Sequence, residues 1–594
     1  MDDHDGAAAS APGHSHHSGS ASQHSRLKGF STVSLLTLLS RITGLARDAL
    51  MASVFGTGML LDGFSLAFRL PNLARRLLGD GAMAAAFLPE FVREERELGR
   101  TEATRLLDSV AGRLSRILLQ IIVPAEIVLA MLRFGMELPE RVSVVVELTA
   151  IMLPFMLMVC LTALLGAALN SIGKFRVAAF TPVLLNLVWL AAGLALATTT
   201  ASLIWQIRLI AAAIVAGGTL QLIVSIVAVR HAGLPLRWPA FQSVDDDLRR
   251  RRHRVFAVIL PALTGLSITQ LNALVDSGLA WGLSRPEAAQ VNVVEPERTA
   301  IPGQTSTIVL PPPEITTAAA SEQSDAAQSS DQASDTPWGL FADGTASALY
   351  LGQRLFQFPM GVFGIALGTV LFPRFARHVA AGSRTEFAGD VDYGLRLVIL
   401  IGIPASVGLW MLAEPIARLL FQRGRFDEEA VQLTAQMIAI HGAGVWIFCA
   451  LLMTNRAFYA DSDQQTPIRQ GIICVVLNLL LDVALIPVFH ELALPWATNL
   501  ATLGQLCLAL LVLHWRQLLS DPGKLTMVFV RSVVASTVMF LAGHWIMQSL
   551  PAESSSTLSR LLVVVTPICT SVVVYFSVLW LLRFRLTELT GART

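Results

Sequence analysis

Arg69, Arg75, Arg76 and Asp80 fall within about three helical turns in the stretch FRLPNLARRLLGDGAMAAAF (68–87). Just upstream, LSRITGLARDAL adds Arg41, Arg47 and Asp48, and a similar apolar setting later in the chain holds Arg354. An arginine at the centre of a spanning helix costs roughly 2.5–3.5 kcal/mol on insertion scales, so groups like these are kept where they meet water or an anion. Asp48 next to Arg47, and Asp80 at i+5 and i+4 from Arg75 and Arg76, offset only part of the charge, and adjacent residues do not face each other on a helix. Pro71 lacks the N–H that would continue the backbone ladder, and Gly79 and Gly81 loosen the next turn. These features predict a bent helix lining a wet cavity. Arginine suits bidentate capture of phosphate oxygens, and lysine is scarce in this chain. The chemistry this implies is a cationic cavity for a phosphorylated or otherwise anionic substrate. The alternative, strongest for Arg76, is an arginine whose charged head reaches out to the membrane headgroups.

A second constellation is independent of the arginines. Asn272 and Asp276 stand at i,i+4 in SITQLNALVDSGLAW, and Asn478 and Asp482 at i,i+4 in VLNLLLDVALIP. Each pair shares one helix face. Oxygen ligands from two helices, joined by Thr498 from the next span, suit a hard cation such as Na⁺, or a proton. Interhelical hydrogen bonding is the competing explanation. Cys160, Cys449, Cys474, Cys507 and Cys569 sit in apolar runs without shared spacing and read as small buried hydrophobes. His441 and His544 are isolated in apolar spans and read as packed polar groups. His14, His16 and His17 belong to a solvated tail. No phosphate-cradling Gly-Lys-Ser/Thr loop occurs, so ATP is not the evident driver, and no cofactor is required beyond a coupling Na⁺.

The elements that must position these groups are membrane helices. Of 594 residues, 54% are hydrophobic and 15% charged, with mean hydropathy +0.59, against about 25% charged in soluble proteins. Apolar runs near the roughly 20 residues needed to cross a bilayer recur throughout, about fourteen in all. The fold class is an all-α polytopic membrane protein. Its first run lacks a small-residue cleavage site and reads as a retained helix. Lysine and arginine cluster in alternate loops, such as 89–105, 170–176, 230–254, 373–378 and 455–469. The positive-inside rule then places both termini in the cytoplasm. Composition divides the chain into a disordered tail (1–28), a six-helix lobe (29–235), a second six-helix lobe (255–518) and two extra spans (525–584). A long acidic Pro/Ser/Gln-rich outer insert, 284–343, interrupts the second lobe and reads as disordered. The lobes are repeats. FRLPNLARRLLGDGAMAAAFLPEF (68–91) is echoed by QRLFQFPMGVFGIALGTVLFPRF (353–375), and repeated bundles around a central site are a transporter architecture.

The opening SRITGLARDALMASVFGTGMLLDGFSLAFRLPNLARRLLGDGAMAAAFLPEF resembles the MurJ/MviN family of lipid II flippases. YLGQRLFQFPMGVFGIALGTVLFP, LLFQRGRFDEEA, NRAFYADSDQQTPIR and NSIGKFRVAAFTPVLLNL resemble later parts of the same pattern. The resemblance implies a two-lobed exporter fold of the multidrug/oligosaccharidyl-lipid/polysaccharide superfamily, in the bacterial cytoplasmic (inner) membrane. It implies a transporter, not an enzyme, that flips the undecaprenyl-pyrophosphate-linked peptidoglycan precursor lipid II to the outer leaflet. Position by position it implies substrate-binding roles for Arg41, Arg47, Arg75 and Arg354, supported by Ser40, Asp62, Asn72, Arg76 and Ser347. Asp80 stands where the family usually has Glu, one methylene longer. Lipid II and membrane lipids are the implied partners, with cell-wall synthesis proteins as further candidates and no nucleic acid. An exporter of another polyprenyl-pyrophosphate-linked glycan, and an intramembrane polyprenyl-phosphate transferase, are the rival readings.

Overall fold

A computed structural model describes residues 18–77, 83–236, 245–285, 339–550 and 556–584. The first half runs α1 (Ser18–Phe55), α2 (Met59–Ala74), α3 (Met83–Glu97), α4 (Arg100–Gly135), α5 (Glu140–Met152), α6 (Phe155–Ser171), α7 (Phe175–Ala197) and α8 (Leu203–His231). The second half runs α9 (Asp246–Leu283), α10 (Thr345–Pro359), α11 (Ile365–Ala380), α12 (Arg384–Met411), α13 (Ala413–Phe421), α14 (Glu428–Ala443), α15 (Val445–Ala460), α16 (Gln465–Phe489) and α17 (Ala493–Trp515). Two further helices, α18 (Pro522–Ser549) and α19 (Thr557–Leu581), close the chain.

Eight helical stretches among the described residues are long and apolar enough to cross a bilayer, or nine if α14 and α15, bent by 41°, count as one. One of the eight, Gln465–Trp515, is 51 residues long and doubles back at His490, where α16 and α17 pack side by side. The expected count of about fourteen rests on adding α1, α2 with α3, α9, and α10 with α11. Those helices carry the arginines and acids, and α2, α3, α10 and α11 are only 15 or 16 residues long because each span is broken midway.

The internal repeat is visible in the backbone. Pro71 lies inside α2, and residues 75–77 that follow form a π turn. Pro359 ends α10, and Met360–Gly364 form a π turn before α11. A proline cannot donate to the i→i−4 ladder, and a widened turn absorbs the lost bond. Asp80, Gly79 and Gly81 of the first copy lie outside the described residues.

Three sequence boundaries move. Helix α1 begins at Ser18, inside the stretch that composition assigns to the tail. Ala, Gln, Arg, Leu and Lys between 18 and 28 are good helix formers, and no proline interrupts them, so the turn propagates back from the span. Residues 1–17 lie outside the description. The second shift concerns α9. Leu248, Val255 and Ile259 belong to the core of the first lobe, in one cluster with Leu106, Leu107 and Val110 of α4. Arg251 bonds Glu94 of α3 at 2.5 Å, and Arg254 bonds Glu90 at 2.9 Å. The far end of α9 instead packs with α10 and α16. The helix therefore joins the lobes, and the boundary set at 255 by sequence falls inside a segment held by lobe 1.

The third shift is at the insert. Ser284 and Phe341, both 0% exposed, form a parallel β-bridge, with the Arg285 N–H donating to Phe341 O at 2.9 Å and the Phe341 N–H to Leu283 O at 2.9 Å. The two ends assigned to the insert are thus part of the folded body, and 286–338 lie outside the described residues. Replacing 288–336 by a short Gly/Ser linker is expected to leave the melting temperature of the purified chain unchanged, because the bridge already holds both ends. A thermal melt in detergent checks it, and a fall of several degrees would show a structural role for the segment.

Candidate functional site

The site is built where α1, α2, α7 and α10 meet, with α9 packed against α2 and α10. Arg47 is 4% exposed. Its Nε donates to Asp48 Oδ1 at 2.9 Å, its Nη2 to the same oxygen at 2.6 Å, and its Nη1 to Asn186 Oδ1 at 3.0 Å. The guanidinium lies 4.1 Å over the Trp189 ring, which is itself wedged edge-on between Phe64 and Phe68. Neighbours on a helix do not ordinarily face each other, yet Arg47 and Asp48, expected to offset part of the charge, pair directly here. The long arginine arm curls round the helix to reach a carboxylate that points into the same buried seam. Arg47 is therefore fully engaged inside the protein in this conformation, not presented to a ligand.

Asp48 is the hub. Its second oxygen accepts from Arg354 Nε of α10 at 2.9 Å, and Tyr350 OH lies 3.4 Å from the first. Arg41, two turns before Asp48 on α1, donates from Nη1 to Gln357 O of α10 at 3.4 Å. Gly361 in the second π turn leaves room for the Arg41 head, which a Cβ there would strike. Two guanidinium groups, those of Arg47 and Arg354, thus hold one carboxylate, and Arg41 reaches Gln357, one turn from Arg354. Arg41 and Arg354 keep part of their surface open, with 34% of the Arg354 side chain exposed. The excess positive charge lies on these two, and a planar fork left half-open matches the oxygens of a phosphate. Ser40 contributes its carbonyl, which accepts from Asn186 Nδ2 at 3.0 Å.

On α2, Arg75 Nε donates to Asn72 Oδ1 at 3.0 Å, and Arg76 Nη1 to Gln270 Oε1 of α9 at 3.1 Å. Arg69, which sequence reasoning noticed but assigned no role, donates to Ala273 O of α9 and to Gln353 Oε1 of α10, both at 2.8 Å. The signal for it was in the repeat: Arg69-Leu70 aligns with Arg354-Leu355. Asp48, Asn186 and Tyr350 were also missed as site residues, since nothing in their local spacing links helices so far apart in sequence.

Asp62 and Ser347 meet each other and stand apart from the arginines. Asp62 is 0% exposed, and its Oδ1 accepts from the Ser347 N–H at 2.7 Å. The carboxylate of one lobe thereby caps the N-terminus of α10 in the other, where orphan N–H groups and the helix dipole favour negative charge. Around it, Arg141 of α5 donates to Ser284 O at 2.6 Å and to Trp281 O, and the Arg425 N–H to Ser53 O at 2.9 Å. At this end, opposite the basic loops, the two lobes are stitched together.

The acid–amide set assembles as the spacing predicts. Asn478 Nδ2 donates to Asp276 Oδ1 at 2.9 Å and to Asp482 Oδ2 at 2.8 Å. Thr498 Oγ1 donates to Asp276 Oδ2 at 3.0 Å, and Asn272 Nδ2 lies 3.4 Å from that oxygen. Asp276, Asn478 and Asp482 are at most 1% exposed. Asp482 Oδ1 and Asn478 Oδ1 are buried with no hydrogen-bond partner among the described residues. Unsatisfied oxygens in such a place fit a small hard cation or a proton.

Comparison with known proteins gives one answer. A family model described as "Lipid II flippase MurJ" matches residues 51–290 and 331–566. The probable lipid II flippase MurJ of Rhizobium tropici is 30% identical over 582 residues, covering 94% of each chain. The lipid II flippase MurJ of Burkholderia cenocepacia is 28% identical over 574 residues, covering 93% of this chain and 97% of its own. A solved structure of lipid II flippase MurJ in an inward closed conformation superposes with TM-score 0.66 at 19% identity, covering 92% of this chain and 97% of that one. An inward-facing multidrug resistance transporter of the MATE family, in the MOP superfamily, superposes with TM-score 0.60 at 10% identity over 82% of this chain and 96% of its own.

Proposed function

The chain belongs to the lipid II flippase MurJ family, and on that premise we propose that it carries lipid II from the inner to the outer leaflet of the bacterial inner membrane. It is a transporter, not an enzyme, and no covalent bond changes. The observation that supports the reading best is the part-open pair Arg41 and Arg354, which come from opposite lobes, Arg354 on Asp48 and Arg41 on Gln357 one turn from Arg354. A diphosphate between them would be held from both lobes at once, so binding at this point is felt by the movement of one lobe against the other.

With both termini in the cytoplasm, as the basic loops favour, the stitched end faces outward. The lobes then part at the inner end to admit the headgroup, and the Asp62–Ser347 and Arg141–Ser284 contacts break when they part at the outer end. The lipid tail stays in the bilayer beside α18 and α19, whose Leu541, Val573, Phe576 and Trp580 are exposed. The membrane potential assists in both directions: moving one charge through 100 mV is worth about 2.3 kcal/mol. A cytoplasm-negative potential drives the anionic headgroup outward and draws the empty cationic cavity back. Asp276, Asn478, Asp482 and Thr498 would hold a Na⁺ or a proton, which supplies the positive charge that two buried carboxylates need. Proteins of cell-wall synthesis are the partners that such a product would meet on the outer side.

Alanine at Arg41, Arg75 or Arg354 is expected to lower flipping in proteoliposomes at least tenfold while the protein still inserts, since removing a buried charge eases insertion. Lysine at Arg354 should rescue poorly, because a point charge lacks the planar fork. Wild-type rates in Arg41→Ala and Arg354→Ala would end the cationic-cavity reading. Depletion in cells tests the substrate: lipid II should accumulate, and accumulation of another polyprenyl-linked glycan instead would reassign it.

A further inference from the structure

The two lobes carry the same polar site twice, with two differences. In lobe 1, Val183-Leu184-Leu185-Asn186-Leu187 of α7 packs against α1, which holds Asp48. In lobe 2, Val475-Val476-Leu477-Asn478-Leu479 of α16 packs against α9, which holds Asp276. Asn186 and Asn478 are thus equivalent, as are Asp48 and Asp276. The equivalence extends across the lobe boundary. Arg354 of lobe 2 bonds Asp48 of lobe 1, and its repeat mate Arg69 of lobe 1 bonds Ala273 O, one turn before Asp276, and Gln353 of lobe 2.

The residue before the aspartate is Arg47 in lobe 1 and Val275 in lobe 2. The residue one turn after the asparagine is Leu190 in lobe 1 and Asp482 in lobe 2. Lobe 1 therefore has one acid and a built-in cation, and lobe 2 has two acids and none. The asparagine amides answer this difference. Asn186 turns its Oδ1 to the Arg47 guanidinium, while its Nδ2 donates to Ser40 O. Asn478 turns its Nδ2 to both carboxylates, and its Oδ1 is buried without a partner.

We infer that Arg47 is a tethered counter-ion: its guanidinium holds in lobe 1 the position that a monovalent cation takes in lobe 2. The inference rests on the proposed cation role of Asp276, Asn478 and Asp482. It makes Arg47 a positioning residue for Asp48 and Asn186 and leaves direct contact with the diphosphate to Arg41 and Arg354. It also confines ion dependence to lobe 2, since lobe 1 completes the same network without an ion.

The experiment counts bound Na⁺ on the purified full chain with ²²Na⁺, at constant ionic strength set with choline. Wild type is expected to bind one Na⁺ per chain, and Asp482→Asn none. A wild type that binds no Na⁺ would fail the lobe-2 reading itself. The doubly substituted Arg47→Val, Leu190→Asp puts two acids and no built-in cation beside Asn186, with Arg354 still on Asp48, and is expected to bind two. Adding Asp482→Asn to that double variant should return it to one. A double variant that folds, as judged by its melting curve, and stays at one Na⁺ overturns the inference. The reciprocal exchange guards against misfolding of the first. Val275→Arg with Asp482→Leu should melt in choline as high as wild type melts in Na⁺, and Na⁺ should not raise it further. A melting temperature in choline no higher than that of Asp482→Leu alone would overturn the inference as well.

Discussion

Replacing Asp48 with alanine is expected to abolish flipping and to lower the melting temperature by several degrees. The carboxylate is 3% exposed and holds Arg47 at 2.6 Å and Arg354 at 2.9 Å. Removing it leaves a fully buried guanidinium without its counter-charge, and breaking one partner out of a buried ion pair costs about 3–5 kcal/mol. Arg354 would also lose the anchor that fixes its fork. Asn keeps one acceptor oxygen and the shape, so Asp48→Asn should fold better than Asp48→Ala and still flip poorly. Flipping in proteoliposomes beside a thermal melt in detergent separates the two losses. An Asp48→Ala variant with wild-type rate would show that the hub has no part in holding the site.

The second large effect is expected at the acid–amide set. Two carboxylates at or below 1% exposure, in the hydrocarbon region, cost several kcal/mol unless a cation or proton offsets them. Asp482→Asn removes one charge and fills the orphaned side with an amide. The variant should lose the response of flipping to Na⁺ and pH while lipid II binding stays near wild type, and Asp276→Asn should do the same. If the set only ties helices together, asparagine substitutes well, because it keeps the oxygen and the hydrogen-bonding shape. Flipping rates across Na⁺ and pH in wild type and both variants decide. Identical ion dependence in all three would leave the structural role alone.

Much of this arrangement is legible in the sequence because it depends on short-range features. Pro71 and Pro359 in matching contexts foretell the two π-turn spans, and the i,i+4 acid–amide pairs foretell a shared face on α9 and on α16. What escapes is set by tertiary packing. The Arg47–Asp48 pair contradicts the helical spacing rule, and only the buried seam formed with Trp189 and Asn186 explains it. Asp62 looks like a polar cavity residue until α10 is brought against it with an uncapped N-terminus. The seating of the first turns of α9 in lobe 1 depends on Glu90 and Glu94, far upstream, and no local signal at Arg251 or Arg254 names them.

Arg354 crosses to Asp48, and Arg69 crosses to Ala273 and Gln353. Each half thus lends its arginine to the other, as partners do across an isologous two-fold interface, though only Arg354 reaches an aspartate. The chain has the layout of such a dimer with both halves in one polypeptide. In a true homodimer every substitution appears on both sides of the axis. A single polypeptide is free of that constraint, so Arg47 and Leu190 can differ from Val275 and Asp482. One half then became the self-contained bearing, and the other could be made answerable to the surrounding medium.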